Sequence, residues 1–228
     1  VFHYIWVTSW KDLFAFRITK EGHLEQVDTS SFLTPGNKIL YEIYKDKDGK
    51  LWVSAFDVES FIIDIRDYIV QKYPLPDLRN QLKANPAINS LCKDEDGIFW
   101  FSQDRYGLCI YDSRKEKLKH YSQCQGTRNL PFGDVTNIAR SYNHNWIWAT
   151  SYGPTVFGLS QQNMEMKEDV RIELGNVTNN PGLITSLFED PQNNLWIGTT
   201  TGLFVYRIMS ATLESIPEVS GPVAGITQ

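Results

Sequence analysis

No run of about 18 apolar residues occurs in this 228-residue chain, so no segment reads as a membrane-spanning helix. Basic charge is also short. The 22 Lys and Arg are outnumbered by 27 Asp and Glu, and a net charge of −5 argues against a nucleic-acid partner, which asks for a basic face. Cysteine is scarce: Cys92, Cys109 and Cys124 are odd in number and lack metal-ligand spacing. Cys92 and Cys109 fall inside apolar strand patterns and read as small buried hydrophobes, so cysteine does not fix the compartment. The four histidines (His3, His23, His120 and His144) share no metal spacing, and none stands beside Ser or Cys in a nucleophile motif. The expectation is a chain that is not an enzyme and takes no cofactor or metal. No charged-then-apolar leader opens the chain at Val1, so any signal peptide is expected to have been removed or to lie outside this sequence.

Aromatic residues, by contrast, are plentiful at 13%, which favours strands. They are also periodic. Trp6, Trp52, Trp100, Trp148 and Trp196 follow one another at 46, 48, 48 and 48 residues. An apolar strand precedes all but the first, as in Leu40–Tyr44, Ile88–Cys92, Val135–Ala139 and Ile184–Phe188. A polar turn follows it, Asp46–Gly49, Asp94–Gly97, Ser141–Asn145 or Asp190–Asn194, and then comes the tryptophan strand. A third strand starts at or near Gly-Leu, as in Gly107–Tyr111 and Gly202–Tyr206, and a variable fourth closes the unit, as in Leu118–Ser122.

Four short strands in a repeat of about 48 residues are the pattern of a propeller blade. Apolar residues alternate at period two, which excludes a helical solenoid. The expected fold is all-β, a β-propeller of about five four-stranded blades in one domain, residues 1–228. Its repeats run approximately over 1–37, 38–85, 86–133, 134–182 and 183–222. Residues 223–228 resemble the first-strand segment of a blade, whereas too little chain precedes Trp6 for one. Either this tail closes a five-bladed ring, or the chain is part of a larger propeller. A four-stranded sheet cannot bury both faces alone, so the recurrent tryptophans are expected to fill the space between blades.

The syntax Ile-x-x-Leu-x-x-Asp-x-x-Gly-x-x-Trp-x-x-Thr-x-x-Gly-Leu resembles the two-component regulator propeller repeat. Ile184–Leu203 fits best, with Leu187, Asp190, Trp196, Thr199, Gly202 and Leu203 in place, and Ile88–Leu108 nearly as well, with Ser102 for Thr. The second unit departs at Ser60-Phe61-Ile62, and the fourth at Asn143–Asn145 and Gly153-Pro154. The resemblance implies the periplasmic sensor region of a hybrid two-component histidine kinase of Bacteroidetes, an extracytoplasmic part of an inner-membrane protein. It implies an oligosaccharide ligand and a histidine kinase portion of the same chain. The alternative is a structural or protein-interaction propeller that forms a homodimer without a small-molecule ligand.

The Asp-x-Asp-Gly turns look like pieces of a calcium loop, but the further oxygen ligands and the closing Glu are missing. Asn, Asp and Gly suit tight turns, which is the reading adopted. Asn176-Val177-Thr178 fits a glycosylation acceptor, a plain loop in a bacterial protein. Trp146 is not repeated and reads as edge packing.

Binding is expected on the loops that vary between repeats. These hold Trp10, Lys11, Phe56, Asp57, Glu59, Gln103, Asp104, Arg105, Tyr106, Ser151, Tyr152, Thr200 and Thr201. Trp10, Arg105, Tyr106 and Tyr152 are the expected ligand contacts, because aromatic and hydrogen-bonding groups suit a saccharide.

Overall fold

The computed structural model describes residues 3–8, 12–29, 39–45, 50–56, 61–64, 69–72, 88–94, 96–103, 107–112, 114–115, 117–121, 135–224 and 226. The chain forms two compact units, Val1–Leu91 and Cys92–Gln228. Both are built from antiparallel meanders, as short alternating strands joined by tight turns dictate.

The first unit holds a three-stranded sheet of β1 (His3–Thr8), β2 (Leu13–Ile18) and β3 (Leu24–Val27). Its second sheet runs in order through β4 (Ile39–Lys45), β5 (Lys50–Phe56), β6 (Phe61–Asp64) and β7 (Ile69–Lys72).

Three four-stranded sheets follow. The first is made of β8 (Ile88–Lys93), β9 (Phe99–Gln103), β10 (Gly107–Asp112) and β11 (Lys117–Tyr121). The next is made of β12 (Val135–Arg140), β13 (Ile147–Ser151), β14 (Thr155–Gln162) and β15 (Glu165–Glu173). The last is made of β16 (Ile184–Glu189), β17 (Asn194–Thr199), β18 (Gly202–Arg207) and β19 (Thr212–Ser220). The fold is an all-β propeller.

The expectation of about five four-stranded blades needs correction to four, because among the described residues four sheets have four strands and the first has three. Counting tryptophans counts second strands, and the Trp6 strand, β1, is an edge that pairs with β2 alone in its sheet. Among the described residues, the inner strand that precedes the tryptophan strand in the other sheets has no counterpart beside β1.

Burial explains the strand composition. Every residue of β10 and β13 is buried, so these read as continuous apolar runs covered on both faces. The outer strand β15 alternates exposed and half-buried residues along most of its length, as a strand with one wet face should. In the second unit β12 lies against both β9 and β16. Trp148, Val156, Ile172 and Leu174 there share one core with Ile184, Leu195, Ile197 and Phe204 of the last sheet. Trp100 and Trp148 are buried, as expected of tryptophans between blades, whereas Trp6 and Trp196 are half-buried. Cys92 and Cys109 are buried, and burial pushes the Cys109 thiol well above its ordinary range.

One irregularity recurs that the alternating pattern hides. The inner strands β4, β12 and β16 each carry a register shift near their start, between Leu40 and Glu42, Val135 and Asn137, and Ile184 and Ser186. Beyond β19, the Gly221 N–H donates to the Thr201 carbonyl (3.1 Å) and the Val223 N–H to the Thr199 carbonyl (2.9 Å). The segment thus crosses the end of the last sheet from its outer strand towards its inner ones.

Candidate functional site

The acidic turns do structural work that the repeat spacing encodes. Asp94 Oδ1 accepts from the Ile98 N–H (2.9 Å), and Oδ2 accepts from the Trp100 indole (2.8 Å). Asp190 does the same in the last sheet. Its Oδ1 takes the N–H groups of Gln192 and Asn194, each at 2.9 Å, and its Oδ2 takes the Trp196 indole at 2.9 Å. The six-residue interval from Asp to Trp lets one carboxylate close the turn and fix the indole.

Their protonation equilibria diverge. Burial dominates at Asp94 and raises it, with Asp96 adding to the effect and the Trp100 and Ile98 bonds opposing it. Burial also acts to raise Asp190, but hydrogen bonds from Asn194, Trp196 and Gln192 outweigh it and hold that carboxyl below the ordinary range.

The fourth sheet solves the same problem differently. Ser141 stands where the acid is missing, and its turn is one residue longer, closing from the Ser141 N–H to the Trp146 carbonyl. Glu189 of β16 supplies the carboxylate instead, accepting from the Trp148 indole at 2.6 Å and from the Asn143 N–H at 3.2 Å. Asn143 also reaches the Pro191 carbonyl (3.3 Å) and Asn193 Oδ1 (3.0 Å).

At the opposite ends of these sheets lie the variable loops. Tyr152, between β13 and β14, is 65% exposed. Its neighbour Ser151 is buried. Thr200 and Thr201, between β17 and β18, fasten the connection that enters β16. Thr200 N–H donates to the Leu183 carbonyl (2.9 Å), Leu183 N–H to Thr200 Oγ1 (3.0 Å), and Thr201 Oγ1 to the Asn180 carbonyl (3.3 Å). Of the four expected contacts, Trp10, Arg105 and Tyr106 lie outside the described residues, as do Lys11, Asp57, Glu59 and Asp104. Phe56 and Gln103 end β5 and β9.

A second feature, on the turn side, was not legible in the repeat. A cleft of about 610 Å³ opens among Asp96, His144, Asn145, Trp146, the end of β14 and Asp169. The His144 ring stacks on Trp146 at 4.2 Å and 24°, and Trp146 meets Trp148 edge-on at 5.5 Å and 69°. Trp146 packs, partly buried, against the core shared by the last two sheets.

The far wall is the two-residue hairpin turn Asn163-Met164, with φ of 54° and 67°. That left-handed pair is unusual for a methionine and is held from several sides. Met164 N–H donates to Gln161 Oε1 (3.0 Å), Tyr121 O–H donates to the Met164 carbonyl, and Met166 N–H donates to the Tyr121 oxygen (3.2 Å). Gln161 Nε2 in turn donates to Asp96 (3.2 Å). His23, His120 and His144 stand on different elements, and the described residues hold no metal-binding group of three or more His, Cys, Asp or Glu.

The last repeat, with its Asp190–Trp196 bond and its Thr199 hydroxyl accepting from the Gly202 N–H (3.1 Å), decides the comparison with known proteins. Residues 180–201 match the two component regulator propeller family. Over 202 residues the chain is 24% identical to Histidine kinase P4 of Formosa agariphila, covering 89% of this chain and 11% of that one. It thus spans about a tenth of that relative's length.

The extracellular domain of a hybrid two component system from B. thetaiotaomicron has the same fold, with a TM-score of 0.63 and 21% identity over 93% of this chain and 29% of its own. The β-propeller domain of Cps50 (Swd1) from Myceliophteria thermophila superposes with a TM-score of 0.64 at 9% identity, over 93% of this chain and 71% of its own. Superposition at such identities shows the propeller fold, and residues 180–201 are similar to one two component regulator propeller repeat. Among the described residues no helix is long and apolar enough to cross a membrane.

Proposed function

We propose that this chain is the ligand-sensing propeller of a hybrid two-component system, placed in the periplasm and linked in its full-length protein to a histidine kinase. The match of residues 180–201 to the regulator propeller repeat carries this reading. The similarity to a histidine kinase along 89% of the chain supports it.

The ligand is an oligosaccharide, with Tyr152 its contact on the variable-loop end; Trp10, Arg105 and Tyr106 are proposed contacts from their positions in the repeat alone. Exposed tyrosine gives an apolar face for a sugar ring and a hydroxyl for its edge, and its exposure is the supporting observation. Calorimetric titration of the 228-residue protein with a panel of oligosaccharides tests the reading. Saturable binding that weakens in Tyr152→Ala supports it, and no binding to any member of the panel contradicts it.

Leu183 (49% exposed) and Val177 (38% exposed) on the same loop end favour a second reading, in which this surface meets another protein copy. A sedimentation mass that doubles with concentration and ignores saccharide would select it.

A further inference from the structure

We propose that one face of the first sheet is an interface for a further propeller blade. That blade presents its tryptophan face and belongs to a part of the full-length polypeptide outside these 228 residues. Three observations carry the assignment.

The first is an apolar face left open. Ile5 and Val7 of β1 pair with Phe16 and Phe14 of β2, so these four side chains lie on one face of the sheet. Leu24 of β3, opposite Ile18, extends the same face. Ile5 and Val7 are each 42% exposed and Leu24 is 57% exposed, while Phe14 and Phe16 are half-buried. Apolar side chains exposed side by side in this way mark an interaction surface, whereas scattered ones need no explanation.

The second is the state of the same repeat positions elsewhere. The residue after the recurrent tryptophan is Val53, Phe101, Ala149 or Ile197 in the other sheets, and each is buried. The residue before it is Leu51, Phe99, Ile147 or Leu195, and each of these is buried too. Among the described residues, this face of the tryptophan strand is open in the first sheet alone.

The third is the kind of cover that the face takes. Leu195, Ile197 and Phe204 of the last sheet hold the positions that Ile5, Val7 and Phe14 hold in the first. They share one core with Trp148, Val156 and Ile172, which lie on the tryptophan face of the neighbouring sheet. The complement of the open face is therefore the tryptophan face of another blade, an apolar surface centred on an indole. The chain matches 11% of the related histidine kinase and 29% of the similar extracellular domain, so proteins of this kind hold ample further polypeptide from which to supply it.

The test compares the 228-residue protein with the full-length protein by maleimide labelling of an introduced thiol, located by peptide mass. Val7→Cys puts the thiol on the open face, and Ile5→Cys serves if that variant fails to fold. Tyr142→Cys, at a turn residue that is 61% exposed, reports general access. Val7→Cys should react readily in the 228-residue protein and at least about tenfold more slowly in the full-length protein, as a group reached only by local opening does. Tyr142→Cys should react alike in both.

Equal rates for Val7→Cys in the two proteins overturn the proposal. Slow labelling in the 228-residue protein that quickens on dilution assigns the face to a second copy and overturns the outside blade. Slowing of both thiols to the same degree in the full-length protein overturns it as well, because the cover would not be particular to this face. None of these rates depends on saccharide, so failure of the sensing reading and failure of this one are separate results.

Discussion

The Trp148 indole donates to Glu189 Oε2 at 2.6 Å, tying the second strand of one sheet to the inner strand of the next. Both groups are buried, with Glu189 4% exposed and Trp148 fully enclosed. The bond does between sheets what Asp94 and Asp190 do within their own.

Glu189→Ala leaves the Trp148 indole and the Asn143 N–H without an acceptor, at an expected cost of about 1–3 kcal/mol for each group that stays dry. Trp148→Phe removes the donor. If the bond matters as described, Glu189→Ala will cost clearly less in the Trp148→Phe background, with a coupling on the order of 1.5–3 kcal/mol. Urea unfolding of the four proteins gives the cycle; strictly additive midpoints would show that the bond contributes nothing.

The two acidic turns should answer pH with opposite sign. The folded pKa of Asp190 is depressed, so its stabilisation is present above the unfolded value of about 4 and is lost as pH falls through the lowered folded value. The folded pKa of Asp94 is raised, so its favourable contribution is complete below about 4 and disappears as pH rises through the raised value. Asp190→Asn should therefore soften the loss of stability on acidification, and Asp94→Asn should steepen it. Thermal unfolding between about pH 2 and 6 reads both slopes, and equal slopes would refute the assignment.

Gly198 is required by crowding. A Cβ there would lie 2.3 Å from Ser186 Oγ and 2.8 Å from Val223 Cγ1. Gly198→Ala should cost about 1–3 kcal/mol by overpacking. Ser186 Oγ is itself buried without a partner, so Ser186→Ala should be neutral or stabilising alone and should recover part of the Gly198→Ala loss. Chemical denaturation midpoints decide, and a harmless Gly198→Ala would contradict the packing described.

Tyr152 and Thr200 separate loop chemistry from loop architecture. Tyr152→Ala removes an exposed ring and should leave stability within about 0.5 kcal/mol. Thr200→Val removes the acceptor for the Leu183 N–H and should loosen the connection into β16, seen as faster amide exchange at Leu183. Unchanged exchange there would mean the hydroxyl holds nothing.

The blades were legible because burial between sheets forces a period: the inner strands start within a residue of where the apolar runs place them, as at Ile88, Val135 and Ile184. The Asp turns were legible as turns, but their bond to the indole six residues on shows only in three dimensions. The Glu189–Trp148 bond was not legible, because its partners belong to different repeats and the local turn offers only Ser141. The lack of a first strand beside Trp6 was legible, but the first sheet was still counted as a full blade because each tryptophan marks only a blade's second strand. The cleft was missed because His144 and Trp146 break the repeat rather than follow it, and their stacking cannot be read from spacing.

Calorimetric titration of the 228-residue protein with neutral oligosaccharides tests the central claim most directly. Saturable binding by at least one of them is the predicted result. Heats indistinguishable from dilution across the whole panel would contradict the account of this propeller as a saccharide sensor.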